Sequence, residues 1–158
     1  MKKTIAFLFL LFVSLQSFSQ GLKIVTGHPD FKVRVTRCEA AGSTVIMNFL
    51  LENVGNKEER IVVYGGGVNS SFAIDDEGNS YNELAFQVQM GNEPMSSVTT
   101  GGTLYPETPV KLTAQIEGVP ESAAMFRKII LEVKCDDWGL GDKKKVQISD
   151  VPIYHEGD

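Results

Sequence analysis

Apolar residues in this chain recur at every second position, and few sequence features restrict a fold so tightly. Phe31, Val33 and Val35 alternate with Lys32, Arg34 and Thr36. Val45, Met47, Phe49 and Leu51 alternate with a set that includes Thr44, Asn48 and Glu52. Ile61 and Val63 follow, then Phe72 and Ile74, then Leu84, Phe86, Val88 and Met90 in strict alternation with Ala85, Gln87 and Gln89. Val110, Leu112, Ala114 and Ile116 make the next run, Ile129, Leu131 and Val133 the next, and Val146 and Ile148 the last. Successive side chains of a strand point to opposite faces, so a period of two marks a strand buried on one side. Eight such runs predict an antiparallel β-sandwich or barrel.

The residues between the runs agree. Ala41-Gly42-Ser43, Asn53 to Lys57, Gly65 to Gly67, Asp75 to Asn79 and Gly101-Gly102 all suit turns. Only Pro120 to Phe126 has helical character, and it predicts a single helical turn between two strands. The 45–51 run carries Ile46 and Leu50 on its second face. It is therefore expected to be central or covered by a loop. Residues 21 to 30 read as a loose lead-in and 153 to 158 as a frayed acidic tail.

The first twenty residues have a different logic. Lys2 and Lys3 precede an apolar run from Ile5 to Val13, and the small residues Ser17 and Ser19 follow two apart. This is the order of a cleaved export signal, with an apolar stretch too short to span a bilayer. Residues 1–20 are read as a signal peptide and 21–158 as one domain of about 138 residues, delivered to the periplasm or beyond. The signal holds two of the 15 Lys and Arg and none of the 20 Asp and Glu, so cleavage takes the formal charge from −5 to about −7. That balance argues against nucleic acid or an anionic membrane as partner. No later stretch approaches the roughly 18 apolar residues of a membrane span.

Several segments then resemble a known family. Leu51-Glu52-Asn53-Val54-Gly55-Asn56 ends one run, Phe72-Ala73-Ile74-Asp75-Asp76-Glu77-Gly78-Asn79-Ser80-Tyr81 follows, and Leu104-Tyr105-Pro106-Glu107 and Gly118-Val119-Pro120 come later. Over residues 31 to 151 the chain is similar to immunoglobulin-like domains of unknown function found in exported bacterial proteins. The signal ending Ser17-Phe18-Ser19-Gln20 resembles those of Bacteroides-type bacteria. The family's glycine after the proline is absent here, where Glu107 follows Pro106. The resemblance implies an immunoglobulin-like β-sandwich and no activity.

Candidates for chemistry are sparse. His28 lies in the lead-in and His155 in the tail, where neither has the rigid support a catalytic base needs. Asp75 to Asn79 is rich in oxygen ligands but lacks the distal bidentate Glu of a calcium loop, and it reads as a hairpin turn with Gly78 at positive φ. Cys38 and Cys135 are too few for structural zinc. They suit either one disulfide or two buried thiols. Alternating strand directions would bring both to the same end, with a bulge turning Cys38 inward. Asn69-Ser70-Ser71 matches a glycosylation acceptor by chance, and Lys143 to Lys145 reads as a solvated hairpin. No metal or cofactor is expected.

One loop remains. Asp136-Asp137-Trp138-Gly139-Leu140-Gly141-Asp142 sets the only tryptophan in a Gly- and Asp-rich connection. Trp138, Asp136, Asp137 and Leu140 are the candidate ligand-binding residues, since sandwiches bind through the loops at their ends. The competing role for Trp138 is a cap on the open end of the core. The chain is thus expected to be a non-enzymatic binding or interaction domain with a protein or glycan partner. The alternatives are an accessory subunit of an envelope complex and, third, an enzyme.

Overall fold

The alternating runs become strands of two sheets packed face to face, in a computed structural model that describes residues 22–67, 70–137 and 140–155. Twelve strands and no helix occur among those residues: β1 (Lys23–Val25), β2 (Phe31–Ala41), β3 (Thr44–Asn53), β4 (Glu59–Tyr64), β5 (Phe72–Asp75), β6 (Ser80–Tyr81), β7 (Phe86–Met90), β8 (Thr99–Leu104), β9 (Val110–Glu117), β10 (Met125–Cys135), β11 (Leu140–Pro152) and β12 (Tyr154–His155). The first sheet runs β1-β11-β10-β4-β8, with β5 also on β10 and β6 on β5. The second runs β12-β2-β3-β9-β7. The β12–β2 pairing is parallel and the other strand pairings are antiparallel. The expected export signal lies outside the described residues.

The inward positions of the two sheets form one core. Phe31, Phe49 and Phe86 from the second sheet meet Ile61, Leu104, Phe126, Ile129 and Leu131 from the first, all fully buried. Burial of an aromatic side chain removes roughly 150–250 Å² from water, so these phenylalanines carry much of the driving force. β3 is the central strand of its sheet, flanked by β2 and β9, as the second apolar face of Ile46 and Leu50 requires.

Four expectations need correction. In β5 the buried positions are Ala73 and Asp75, not Phe72 and Ile74, which stand opposite Ile130 and Lys128 on the outer face. The strands number twelve among the described residues, not eight, because β1, β6, β8 and β12 lack a readable alternation. β7 begins at Phe86, and Leu84, placed in that run by its spacing, is 75% exposed in a turn before it. Residues 120–123 form a turn closed by the Ala123 N–H on the Pro120 carbonyl, and Met125 already opens β10. Helical character there loses to the long β10–β11 ladder, which captures Met125 and Phe126 opposite Pro152 and Val151.

Candidate functional site

Sheet edges decide where this fold can receive another chain, because an edge strand presents unpaired N–H and C=O groups. Most edges here are protected. β12 and β6 are two residues long, and β1 is three and carries Lys23. On β7, Val88 and Ser96 exchange both backbone hydrogen bonds at 2.8 and 2.9 Å, and Gln89 Nε2 donates to the Glu93 carbonyl at 2.7 Å. The connection from β7 to β8 thus covers the edge of the second sheet.

β8 is different. It pairs with β4 alone, and its sequence Thr-Thr-Gly-Gly-Thr-Leu has no charge, no proline and no bulge to deter a partner. The Gly65 N–H donates to the Val98 carbonyl at 2.8 Å, which fixes the phase of the ladder. In an antiparallel pair the hydrogen bonds alternate, so Thr100, Gly102 and Leu104 turn their backbone groups to β4. Thr99, Gly101 and Thr103 turn theirs outward. Beside this edge runs a groove of about 770 Å³, bounded by Arg60 and Val62 of β4, the outer side of β8, and Glu93 to Ser96. Gly101 keeps the groove floor open, since a side chain there would also press on the Ile61 carbonyl at 2.7 Å.

The β10–β11 connection lies at one end of the sandwich. Asp137 shares a hollow of about 490 Å³ with Asp30, Gly55, Asn56, Lys57 and Glu59. Asp136 is exposed, with Lys134 Nζ 3.6 Å from its carboxylate. Trp138 and Gly139 lie outside the described residues, as does the side chain of Leu140. Of the four residues singled out by sequence, the structure therefore brings Asp136 and Asp137 to that end and says nothing of the other two side chains.

Cys38 and Cys135 are buried and not joined to each other. A bulge between Val35 and Arg37 does turn Cys38 into the core. The directions, however, do not alternate through the chain: β4 and β5 are both antiparallel to β10 and so run the same way. β2 starts at the end that holds Asp30, whereas β10 finishes there with Cys135 beside Glu59. Cys38 lies seven residues along β2 from Phe31, on the order of 20 Å at ~3.3 Å per residue. Burial pushes the Cys38 thiol up to about 12, with the Glu39 carboxylate adding to the effect. The Cys135 thiol donates to Glu59 Oε2 at 3.4 Å.

The remaining buried polar groups serve the scaffold. Gly78, at φ +90°, lets the β5–β6 turn close as expected. There the Asp75 carboxylate accepts from Tyr81 Oη at 2.6 Å, Asn79 Nδ2 at 2.8 Å, and the N–H groups of Asn79 and Glu77 at 2.8 and 3.0 Å. Burial raises the Asp75 carboxyl, but the bonds from Tyr81, Asn79 and Glu77 outweigh it and hold the group below its ordinary value. Burial and the Asp75 carboxylate push the Tyr81 hydroxyl well above its ordinary value. His28 Nδ1 accepts from the Asp30 N–H at 3.1 Å, and His155 Nε2 is 2.8 Å from the Ala123 carbonyl, so both histidines tie down loops. Between β4 and β5 the ladder on β10 is interrupted. Ser71 Oγ fills the gap, accepting from the Glu132 N–H at 2.9 Å and donating to the Tyr64 carbonyl at 2.5 Å. Glu132 itself is buried on the outer face of the sheet, with Lys143 Nζ 3.3 Å from its Oε2 and 4.1 Å above the Tyr64 ring.

The groove along β8 was missed in sequence because backbone builds it. Its one signal is the threonine content of Thr99, Thr100 and Thr103, a strand preference between two turn clusters.

No protein-family model matches the chain. No curated protein matches it either. Among solved structures it is similar to part of a family 123 glycoside hydrolase from Clostridium perfringens, studied for glycolipid glycan hydrolysis, at 11% identity and a TM-score of 0.43 over 84% of this chain. The chain spans 26% of that enzyme. PapD-like domain 7 of human CEP192 matches at 16% identity and a TM-score of 0.41, over 89% of this chain and 96% of that one. The GAE domain of GGA2p from Saccharomyces cerevisiae matches at 11% identity and 0.42, over 84% and 98%.

Proposed function

We propose that this protein is an exported, non-enzymatic interaction domain of immunoglobulin-like type that takes an extended polypeptide segment along β8. The observation that carries the reading is the open edge itself, where Thr99, Gly101 and Thr103 direct backbone groups into a groove. Strand addition draws affinity from such main-chain bonds and specificity from alternate side-chain contacts. Export rests on Lys2, Lys3 and the apolar run that follows them. A non-catalytic role fits the three carboxylates buried among the described residues, since Asp75, Glu59 and Glu132 are each engaged by their own neighbours.

Thr103→Pro tests the reading. Proline removes an outward N–H and leaves the β4 ladder intact, because Thr103 sits opposite Arg60 at a position that makes no ladder bond. Peptides selected from a displayed random library should bind the unaltered protein and lose at least about tenfold on the variant, as expected for a lost buried hydrogen bond. They should also slow amide exchange at Thr99, Gly101 and Thr103. Selected peptides that bind the variant equally, or protect other amides instead, would overturn the assignment.

A further inference from the structure

The outer face of the first sheet carries a charge pattern that the whole-chain balance conceals. Register places Lys23, Ser149 and Lys128 in one row across β1, β11 and β10. Lys145 stands opposite Glu132, and Lys134 stands opposite Val62 of β4. Lys143 reaches across β10 to the Tyr64 ring, and Arg60 points outward from β4. Six cations therefore share this face with the Glu132 carboxylate, with Asp136 at its rim beside Lys134 and Glu93 in the groove that Arg60 lines, while the chain as a whole carries a formal charge of −5. Lys143 neutralises Glu132, and the Lys134–Asp136 pair lies at the exposed rim, where screening leaves little attraction. Among the described residues Lys23, Arg60, Lys128 and Lys145 make no ion pair. The outer face of the other sheet shows the contrary arrangement. There Arg34 pairs with Glu52 and Arg37 with Glu39.

We propose that this face binds a linear polyanionic glycan. Like charges on neighbouring strands oppose folding, so a segregated face has a cost that an anionic partner offsets. From Lys128 to Lys134 the face extends about 20 Å at ~3.3 Å per residue, long enough for a polymer laid along β10. A lipid surface would need apolar groups that project to insert, whereas Phe72, Ile74 and Val62 on this face are half-buried in the sheet and Val25 at the β1 edge is the one exposed large apolar side chain there among the described residues. A protein interface would centre on an uninterrupted apolar patch, whereas here the half-buried Ile74 stands opposite Lys128, Val62 opposite Lys134, and the Tyr64 ring is covered by Lys143. A hydrated anionic polymer requires neither. Arg60 also lines the β8 groove, but Lys23, Lys128, Lys134, Lys143 and Lys145 do not, so the proposal stands on those five without the β8 reading.

The test is binding of the full-length secreted chain to immobilised polygalacturonate. Neutral dextran, polyglutamate and phosphatidylglycerol vesicles serve as comparisons. Retention should fall steeply with salt, and dextran should not retain the protein. The triple variant Lys128→Glu, Lys134→Glu, Lys145→Glu should lose on the order of tenfold or more in affinity, while Lys32→Glu, Lys111→Glu on the opposite sheet should lose little. Thermal melts of both variants confirm that they fold. Absence of retention on polygalacturonate at low salt would overturn the proposal, as would equal losses in the two variants. Tighter binding to vesicles or to polyglutamate would reassign the face to a membrane or an acidic protein and overturn the glycan.

Discussion

Tyr81→Phe and Asp75→Ala, singly and together, measure how much the β5–β6 turn stabilises the sandwich. Tyr81 is buried, and its ring meets Phe126 edge-on with centroids 6.0 Å apart. Phenylalanine keeps that contact, so the single change isolates the 2.6 Å bond from Tyr81 Oη to Asp75 Oδ2. A hydrogen bond to a carboxylate contributes about 1.5–3 kcal/mol, which is the expected loss for Tyr81→Phe. Asp75→Ala removes the same bond and also strands the buried hydroxyl, at a further cost of about 1–3 kcal/mol, giving roughly 3–5 in total. The N–H groups of Glu77 and Asn79 add little to that figure, because both residues are exposed and water replaces the carboxylate. In the double variant no hydroxyl is stranded. Its loss should therefore fall short of the summed single losses by about 3–5 kcal/mol, the full loss of Asp75→Ala. Urea unfolding of the four proteins supplies the cycle. Losses that add to within about 0.5 kcal/mol would refute the coupling. The acid limb adds a second reading. The folded Asp75 value lies below the unfolded one of about 3.9, so its contribution is complete above that pH and is lost as pH falls through the folded value. Asp75→Asn should flatten stability in that window.

Two further predictions concern buried groups. Ser71→Ala leaves the Glu132 N–H unpaired inside the sheet, so stability should fall by about 1–3 kcal/mol and that amide should exchange faster; unchanged urea midpoints would show that Ser71 is not a plug. Thiol titration of the unreduced protein in denaturant should find both cysteines reactive, and in native buffer at pH 8 Cys38 should react far more slowly than a model thiol, because its folded value is about 12. Recovery of no thiol in denaturant would restore the disulfide.

Much of the scaffold was legible in single residues. Phe31, Phe49 and Phe86 announce their inward faces by alternation, Ile46 and Leu50 mark β3 as central, and Gly78 marks its turn. Strand β8 was not legible, because its inward positions are Thr100, Gly102 and Leu104, and one apolar residue makes no period. A strand of that kind exists only once β4 is present to pair with it. The lateral groove inherits the same opacity, being made of backbone and of a connection fixed by the Val88–Ser96 bridge. The cysteine geometry failed for a topological reason. Composition and periodicity say which positions face inward, but nothing local reveals that β4 and β5 run the same way along β10.

The placement of β1 and β12 bears on how the chain reaches this state. β1 closes the first sheet only by pairing Lys23 to Val25 with Gln147 to Ser149, and β12 finishes the second by laying Tyr154 and His155 along Glu39 and Ala40. Each sheet thus joins strands far apart in the sequence. Contacts of such long sequence separation must pay loop-closure entropy before they return any stability, which places folding in the slow, millisecond-to-second regime of β-sandwiches. A chain synthesised from its N-terminus has no partner for β1 until residues 147–149 have been made. Completion of both sheets therefore waits on the C-terminal strands, and a truncation of the last dozen residues would open a further, aggregation-prone edge in each sheet.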